Sequence, residues 1–415
     1  MPDGLRGRSR PWQVRLVRRT LLGFAALLVL LAAFTGGVYV DQSYPEFVPS
    51  LRLGQAQGQV DRAATDQALR VIEAHYYDPR LDYGKLSDGS VRGMVQALGD
   101  QYSQYLSPAE YRDEQDQFAG RHAGMIGIFV DFANGYPVVA GLLPNSPALR
   151  AGVETDDVIL AINGRDTHNL SQDATANLIR GAAGTTVDLR VSREGTPRDL
   201  EVARANFQSP TVQSVRLDGG VLYLRIYQFG DTTETEFDAQ LRAGLPGARG
   251  VILDLRDNGG GFVSAAAAVI SRFVRSGEAF EERGRAAQPD RTDVDGNHPA
   301  ADVPLVVLVN GNTASASEIV AGSLQARARA RLVGTKTFGK GSVQVDYQLE
   351  NGGDLHLTVA HWFLPNGRSI EKQGLTPDVP VALASRPAMF DVVQPARGHA
   401  GDTQLNQALT MLAGQ

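Results

Sequence analysis

From about residue 211 the chain alternates strand-like and helix-like segments, and this alternation restricts it to an α/β architecture more firmly than any other feature. GGVLYLRIYQF reads as a strand and TETEFDAQLRAGL as a helix. GVILDLR is a buried strand, FVSAAAAVISRFV a helix, VPLVVLVN a strand and ASEIVAGSLQAR a helix, with further strands to about residue 363. Residues 122–205 have a different texture. GMIGIFVDF, YPVVAGLL, DDVILAING and TVDLRVSRE are short strands split by Gly and Pro turns, with one helix, SQDATANLIRGA, among them. Upstream, from Asp61 to about Arg121, the pattern is helical. Asp88 or Ser87 is placed to cap a helix carrying Val91, Met94, Val95 and Leu98 on one face.

The first forty residues stand apart. Arg6, Arg8, Arg10, Arg15, Arg18 and Arg19 precede an uncharged run from Leu21 to Val40. Twenty such residues reach across a hydrocarbon core as a helix. The reading is an uncleaved single-pass anchor in the cytoplasmic membrane, arginines inside and the remainder of the chain on the outer, periplasmic side. A cleaved signal peptide is the alternative, since Ala32, Ala33, Gly36 and Gly37 follow the apolar core. The expected organisation is then a cytoplasmic tail and anchor or signal (1–40), a polar linker (41–60), a helical region (61–121), the strand-rich module (122–205), the α/β core (206–385) and a C-terminal tail (386–415). That tail ends in the amphipathic stretch TQLNQALTMLAG. Beyond residue 40 there are 34 basic and 45 acidic residues, a balance of −11 that argues against nucleic acid as a partner. The chain has no Cys, which excludes a disulfide framework and a thiol nucleophile.

Two strand-to-helix junctions could carry chemistry. Asp254-Leu255-Arg256-Asp257-Asn258-Gly259-Gly260-Gly261 is either a plain glycine-rich turn or a place where backbone N–H groups face a ligand. Asn310-Gly311-Asn312-Thr313-Ala314-Ser315-Ala316-Ser317-Glu318 contains the capping box Ser315-x-x-Glu318. Ser315 therefore either caps the helix or, exposed on a sharp turn beside helix N–H groups, acts as a nucleophile. A nucleophilic Ser needs a base, and none of the seven histidines is an obvious one. Lys340 is another matter. The chain has only four lysines, Lys85, Lys336, Lys340 and Lys372, against 36 arginines, and a buried Lys can lose its proton where Arg cannot. GTKTFGKGS around Lys340 nearly spells a phosphate-binding loop, but Gly341 stands where that motif needs Ser or Thr. Asp293-Val294-Asp295-Gly296-Asn297 resembles the start of a calcium loop but lacks its third acidic position and distal Glu, and reads as a turn.

TASASEIVAG, then GTKTFGKGSVQ, after DLRDNGGG, resemble the carboxyl-terminal processing protease family, serine peptidases with a Ser–Lys dyad. The resemblance runs from about Leu69 to Asp378 and takes in LGDQYSQYL and HWFLPNGRSIEKQGLTPDV. Gln101 stands where the family commonly has Pro, and His361 where it has Lys. The resemblance implies Ser315 as nucleophile, Lys340 as base, Gln344 holding the Lys amine, and the N–H groups of Gly261 and Ala316 as oxyanion donors. Residues 122–205 resemble a PDZ domain. Gly124-Met125-Ile126-Gly127 would be its carboxylate-binding loop and SQDATANLIRG the other wall of its groove. Arg180, at the end of that helix, contacts the substrate tail or the catalytic domain, or is a plain surface arginine.

The implied fold is a crotonase-like spiral α/β peptidase core with an inserted PDZ domain and an N-terminal helical segment. The implied function is a membrane-anchored extracytoplasmic serine endopeptidase acting on proteins with accessible apolar C-terminal tails, with no metal or cofactor. An adaptor lipoprotein and homo-oligomerisation fit the resemblance without being specified by residues. The rival is a non-catalytic PDZ scaffold, or an apolar-ligand-binding protein, built on a lapsed peptidase core.

Overall fold

The computed structural model describes residues 61–285, 288–385 and 388–414. Helix α1 (Arg62–His75), capped where Asp61 accepts the Ala64 N–H at 3.1 Å, belongs to a unit of its own that ends at Asp82. The second unit begins with α2 (Tyr83–Gln96), β1 (Gln104–Leu106) and α3 (Pro108–Phe118). The expected cap at Ser87 or Asp88 is corrected: both lie inside α2, and the Asp88 carboxylate, instead of capping a helix start, accepts the Tyr105 hydroxyl at 2.6 Å. Of its expected apolar face, Val95 is buried while Met94 and Leu98 are exposed.

The strand-rich module follows. Its stem pairs β2 (Arg121–Met125) with the later β9 (Ala205–Gln208). Between them lie β3 (Ile128–Ala133), β4 (Tyr136–Leu142), α4 (Pro147–Arg150), β5 (Val158–Ile162), β6 (Arg165–Asp166), α5 (Gln172–Ile179), β7 (Thr186–Arg193) and β8 (Thr196–Ala203). The sheet runs β3-β4-β5-β7-β8, with β6 on β5. In β7, Val187, Leu189 and Val191 point inward and alternate with exposed Thr186, Asp188 and Arg190, the period of two that a half-buried strand requires. Buried Arg204 donates to the carbonyls of Ile179 (2.6 Å) and Leu178 (3.1 Å), satisfying the end of α5.

The core contains β10 (Val212–Leu217), β11 (Val221–Ile226), α6 (Thr233–Gly244), β12 (Gly250–Asp254), α7 (Val263–Ser271), β13 (Glu278–Gly284), β14 (Asp290–Asp293), β15 (Leu305–Val309), α8 (Ala316–Ala326), β16 (Arg331–Gly334), β17 (Ser342–Gln348), β18 (Asp354–Phe363), β19 (Val379–Pro380) and α9 (Thr403–Ala413). The main sheet runs β10-β11-β12-β15-β16-β19, parallel except for the first pair. Helices α6, α7 and α8 cover one face, packing Phe237, Leu241, Val269, Ile270, Ile319 and Leu324 on Leu253, Val307 and Leu332. The opposite face (Tyr223, Ile252, Val306, Leu308, Val333) is covered by Phe390 and by Leu405, Ala408 and Leu412 of α9. This double cover explains the unbroken apolar runs of β12 and β15. The segment after residue 385, read from sequence as a tail, thus completes the core. It is fastened by fully buried Arg256, which pairs with Asp254 (2.6 Å) and Asp402 (2.9 Å). A second sheet, β1-β18-β13-β14 with β17 on β18, stands beside the first. The strand-rich module touches the C-terminal segment, where Thr155 Oγ1 donates to Asp391 at 3.0 Å.

The single-pass membrane placement expected from sequence, with the catalytic part in the periplasm, is corrected. Among the described residues no helix is long and apolar enough to cross a membrane. The longest have 14 residues, roughly 21 Å at about 1.5 Å per residue against a core of about 30 Å. The run Leu21–Val40 lies outside the described residues.

Candidate active site

Strands β12 and β15 are parallel neighbours, so the two junctions singled out in the sequence emerge side by side at their carboxyl ends, where α/β sheets form crevices. They are laced together. Ala314 N–H and Ser317 Oγ both donate to the Asn258 carbonyl at 3.0 Å, and Thr313 Oγ1 donates to the Leu255 carbonyl at 2.8 Å. Asp257 Oδ1 accepts from the amides of Asn310 (2.9 Å) and Asn312 (2.8 Å). At Gly260, φ is +105° and a Cβ would lie 2.8 Å from Ser315 Cβ and 2.9 Å from the Ala314 carbonyl oxygen. Only glycine lets the two loops approach so closely.

Ser315 is the N-cap of α8, with φ 55° and ψ −122°, a conformation that L residues rarely adopt. The Glu318 N–H donates to the Ser315 backbone carbonyl at 2.8 Å. Ala316 is the first residue of α8, so its N–H is among those a helix leaves without an internal partner. Gly261, at φ +132°, runs against Phe229, whose carbonyl oxygen a Cβ at 261 would meet at 2.1 Å.

Lys340 reaches the same place from the turn between β16 and β17. Ser315, Lys340, Gln344 and Gly261 all line one cavity of about 420 Å³, together with Tyr102, Glu114, Ile319 and Trp362. Lys340 Nζ lies 5.1 Å from the centre of the Tyr102 ring. Burial holds its pKa below the usual lysine value, against the opposing pull of Glu114, Asp100 and Glu371. Gln344 donates to Ser342 Oγ at 2.8 Å and Thr358 Oγ1 at 3.1 Å.

Sequence reasoning missed the residue that unites the site. Glu318 is completely buried. Its Oε2 accepts the backbone N–H of Ser315 at 3.1 Å and of Lys340 at 2.9 Å. Its Oε1 accepts the Gly339 N–H at 2.9 Å and the Thr337 hydroxyl. Burial pushes its carboxyl pKa up, and these donors pull the other way. The Ser-x-x-Glu spacing signalled only a local cap. The contacts to residues 337–340 depend on where the later turn lands.

In the module, Ile126 is buried, and the loop is fastened by its carbonyls: Ile126 accepts from Ala148 N–H (2.9 Å) and Gly127 from Leu143 N–H (3.0 Å). Gly124 N–H is committed to Asn206 Oδ1 at 3.2 Å. Met125 ends β2, opposite Ala205. Arg180 follows α5 and is exposed. A cavity of about 570 Å³ joins the module's Val130, Asp131 and Gln172 to Asp257, Asn310 and Asn312 of the laced junctions.

A parallel α/β core with loop-borne chemistry at its strand ends defines a class that comparison with known proteins makes specific. The family model described as Peptidase family S41 matches residues 220–381, and that of the PDZ domain matches residues 138–193. A carboxy-terminal-processing protease of Bartonella bacilliformis is 32% identical over 92% of this chain and 95% of its own length. The carboxy-terminal processing protease CtpA of Bacillus subtilis is 32% identical over 80% of this chain and 72% of its own. Among solved structures, the photosystem II D1 C-terminal processing protease superposes with a TM-score of 0.53 at 25% identity, over 84% of this chain and 99% of that one. The chain belongs to peptidase family S41, as a carboxy-terminal processing serine protease with a PDZ domain.

Proposed function

We propose that Ser315 is the nucleophile and Lys340 its general base. Neutral Lys340 takes the hydroxyl proton as Oγ attacks the scissile carbonyl, returns it to the leaving amine, and activates water for hydrolysis of the acyl-enzyme. The N–H groups of Ala316 and Gly261 receive the oxyanion. Gln344 orients the amine end of Lys340 when substrate fills the cavity. The observation that carries this reading is the Glu318 carboxylate, which ties the Ser315 and Lys340 backbones together at the edge of one cavity. Burial of Lys340 supports its neutral form.

The substrates in this reading are proteins with free apolar C-termini. The PDZ domain receives the carboxylate at Met125–Gly127 while the tail adds a strand along β3, facing α5. Gly124, whose N–H is already bonded, serves the loop by its conformation at φ 62°. Arg180, exposed at the end of α5, lies within the substrate-binding set by this reading.

The test uses one substrate bearing an apolar tail as the free acid or as the amide, with wild type, Ser315→Ala and Ser317→Ala. Loss of the charge-assisted hydrogen bonds makes the amide bind at least about tenfold more weakly. Ser315→Ala abolishes cleavage and Ser317→Ala retains part. Equal cleavage of both tails rejects C-terminal recognition, and wild-type turnover by Ser315→Ala rejects the nucleophile.

A further inference from the structure

The hairpin formed by β17 and β18 carries side chains that the proposed reaction leaves unused. Asp346 and His356 are cross-strand partners, with Asp346 Oδ1 2.6 Å from His356 Nδ1. Asp354 precedes His356 by two residues and so shares its face of the strand. One ligand atom from each of the three lies within 4.8 Å of the other two. Asp354 is completely buried, and neither of its carboxylate oxygens has a hydrogen-bond partner. Glu114 Oε2, reaching toward the hairpin from α3, is likewise buried and unpartnered. Asp346, His356 and Glu114 line the cavity that holds Ser315 and Lys340.

A buried carboxylate without a donor is costly, and it is relieved by a proton, a hydrogen-bond donor or a cation. Neither Asp354 nor Glu114 forms an ion pair with Arg or Lys among the described residues; the opposite charges that act on them are His356 and, for Glu114, Lys340. Burial pushes the carboxyl pKa of both groups up. We propose that Asp346, Asp354 and His356 form a binding site for a divalent transition-metal cation of the zinc type in the wall of the active-site cavity. One imidazole and two carboxylates suit zinc better than calcium or magnesium, which take oxygen donors. Ligand atoms in a tetrahedral zinc site lie about 3.4 Å apart, within side-chain rotation of the spacing here.

The place of the site in the sheet suggests its effect. Gln344 pairs with Thr358 on the same face, adjacent to the Asp346–His356 pair. A cation bound there fixes the pleat that carries Gln344 and neutralises the acidic end of the cavity. The proposal concerns binding and stands whether or not Gln344 acts as described above.

The test is equilibrium dialysis of the metal-stripped full-length chain against Zn²⁺, with Ca²⁺ and Mg²⁺ in parallel, for wild type, Asp354→Asn and His356→Gln. Circular dichroism checks that each variant is folded, and thermal melts with and without Zn²⁺ give an independent reading. The expected result is one Zn²⁺ per wild-type chain, a higher Tm with the metal, and at least about tenfold weaker binding in each variant. Two results overturn the proposal. One is wild type that fails to bind Zn²⁺ stoichiometrically, even if the substitutions alter cleavage. The other is Zn²⁺ that binds wild type and both variants alike.

Discussion

One carboxylate oxygen, Glu318 Oε2, accepts the backbone N–H of Ser315 at 3.1 Å and that of Lys340 at 2.9 Å. A residue that begins as a helix cap therefore sets the spacing between two loops 25 positions apart in sequence. In Glu318→Gln one of the two oxygens becomes an NH₂ group facing N–H donors. Leaving buried donors unpaired costs about 1–3 kcal/mol. The expected outcome is a loss of that size in urea unfolding, with a fall in kcat larger than the change in KM. A folded Glu318→Gln enzyme with wild-type kcat would show that the bracket is dispensable.

Ser315 occupies backbone angles that glycine tolerates and L residues adopt only under strain. Ser315→Gly and Ser315→Ala should both lose proteolysis by several orders of magnitude. They should differ in stability, Ser315→Gly being the more stable by about 1 kcal/mol because only Ser315→Ala retains the strained Cβ. Equal unfolding midpoints for the two variants would argue against strain at this position.

Burial lowers the pKa of Lys340, so the fraction of neutral base, and with it kcat/KM, should rise with pH through that lowered value. Lys340→Arg should fold and be inactive, because Arg keeps its proton. The sign for stability follows from linkage. The folded state binds this proton less tightly than the unfolded chain does. Wild type should therefore gain stability relative to Lys340→Met as pH rises from the lowered pKa to the ordinary lysine value of about 10.4. Urea unfolding of both proteins across that range checks it, and a difference that shrinks with rising pH would contradict a depressed Lys340.

Gly260→Ala places a methyl group 2.8 Å from Ser315 Cβ at a residue with φ +105°. The two junctions must then separate. The expected cost is about 1–3 kcal/mol for the clash, with loss of cleavage, read by thermal melts and a peptide assay. Gly259→Ala is the control, since a Cβ there meets nothing within 4 Å. If the two variants behaved alike, close approach would not be the reason for glycine at 260.

The alternating strands and helices of the core were legible because each element carries its own periodicity and its own breakers. Both junctions were legible for the same reason, since a glycine run and a Ser-x-x-Glu cap are local signals. What stayed hidden depends on register or on distant partners. Nothing near Asp88 announces that α2 already begins at Tyr83, or that the Asp88 carboxylate will accept the Tyr105 hydroxyl. Asp346, Asp354 and His356 fall together only once the turn between β17 and β18 fixes which residues face each other. The amphipathic stretch after residue 402 was visible, but not that its apolar side would roof the main sheet.

Arg256 and Asp402 meet in the core although 146 positions separate them. A ribosome makes the strands that carry the reactive loops long before it makes Asp402. Until that residue arrives, Arg256 has Asp254 but lacks half of its charge compensation, and the face of the sheet beneath it has no roof. A chain that has reached Lys340 but not Asp402 holds Ser315 and Lys340, yet leaves Arg256 with Asp254 alone and this face of the sheet without Leu405, Ala408 and Leu412.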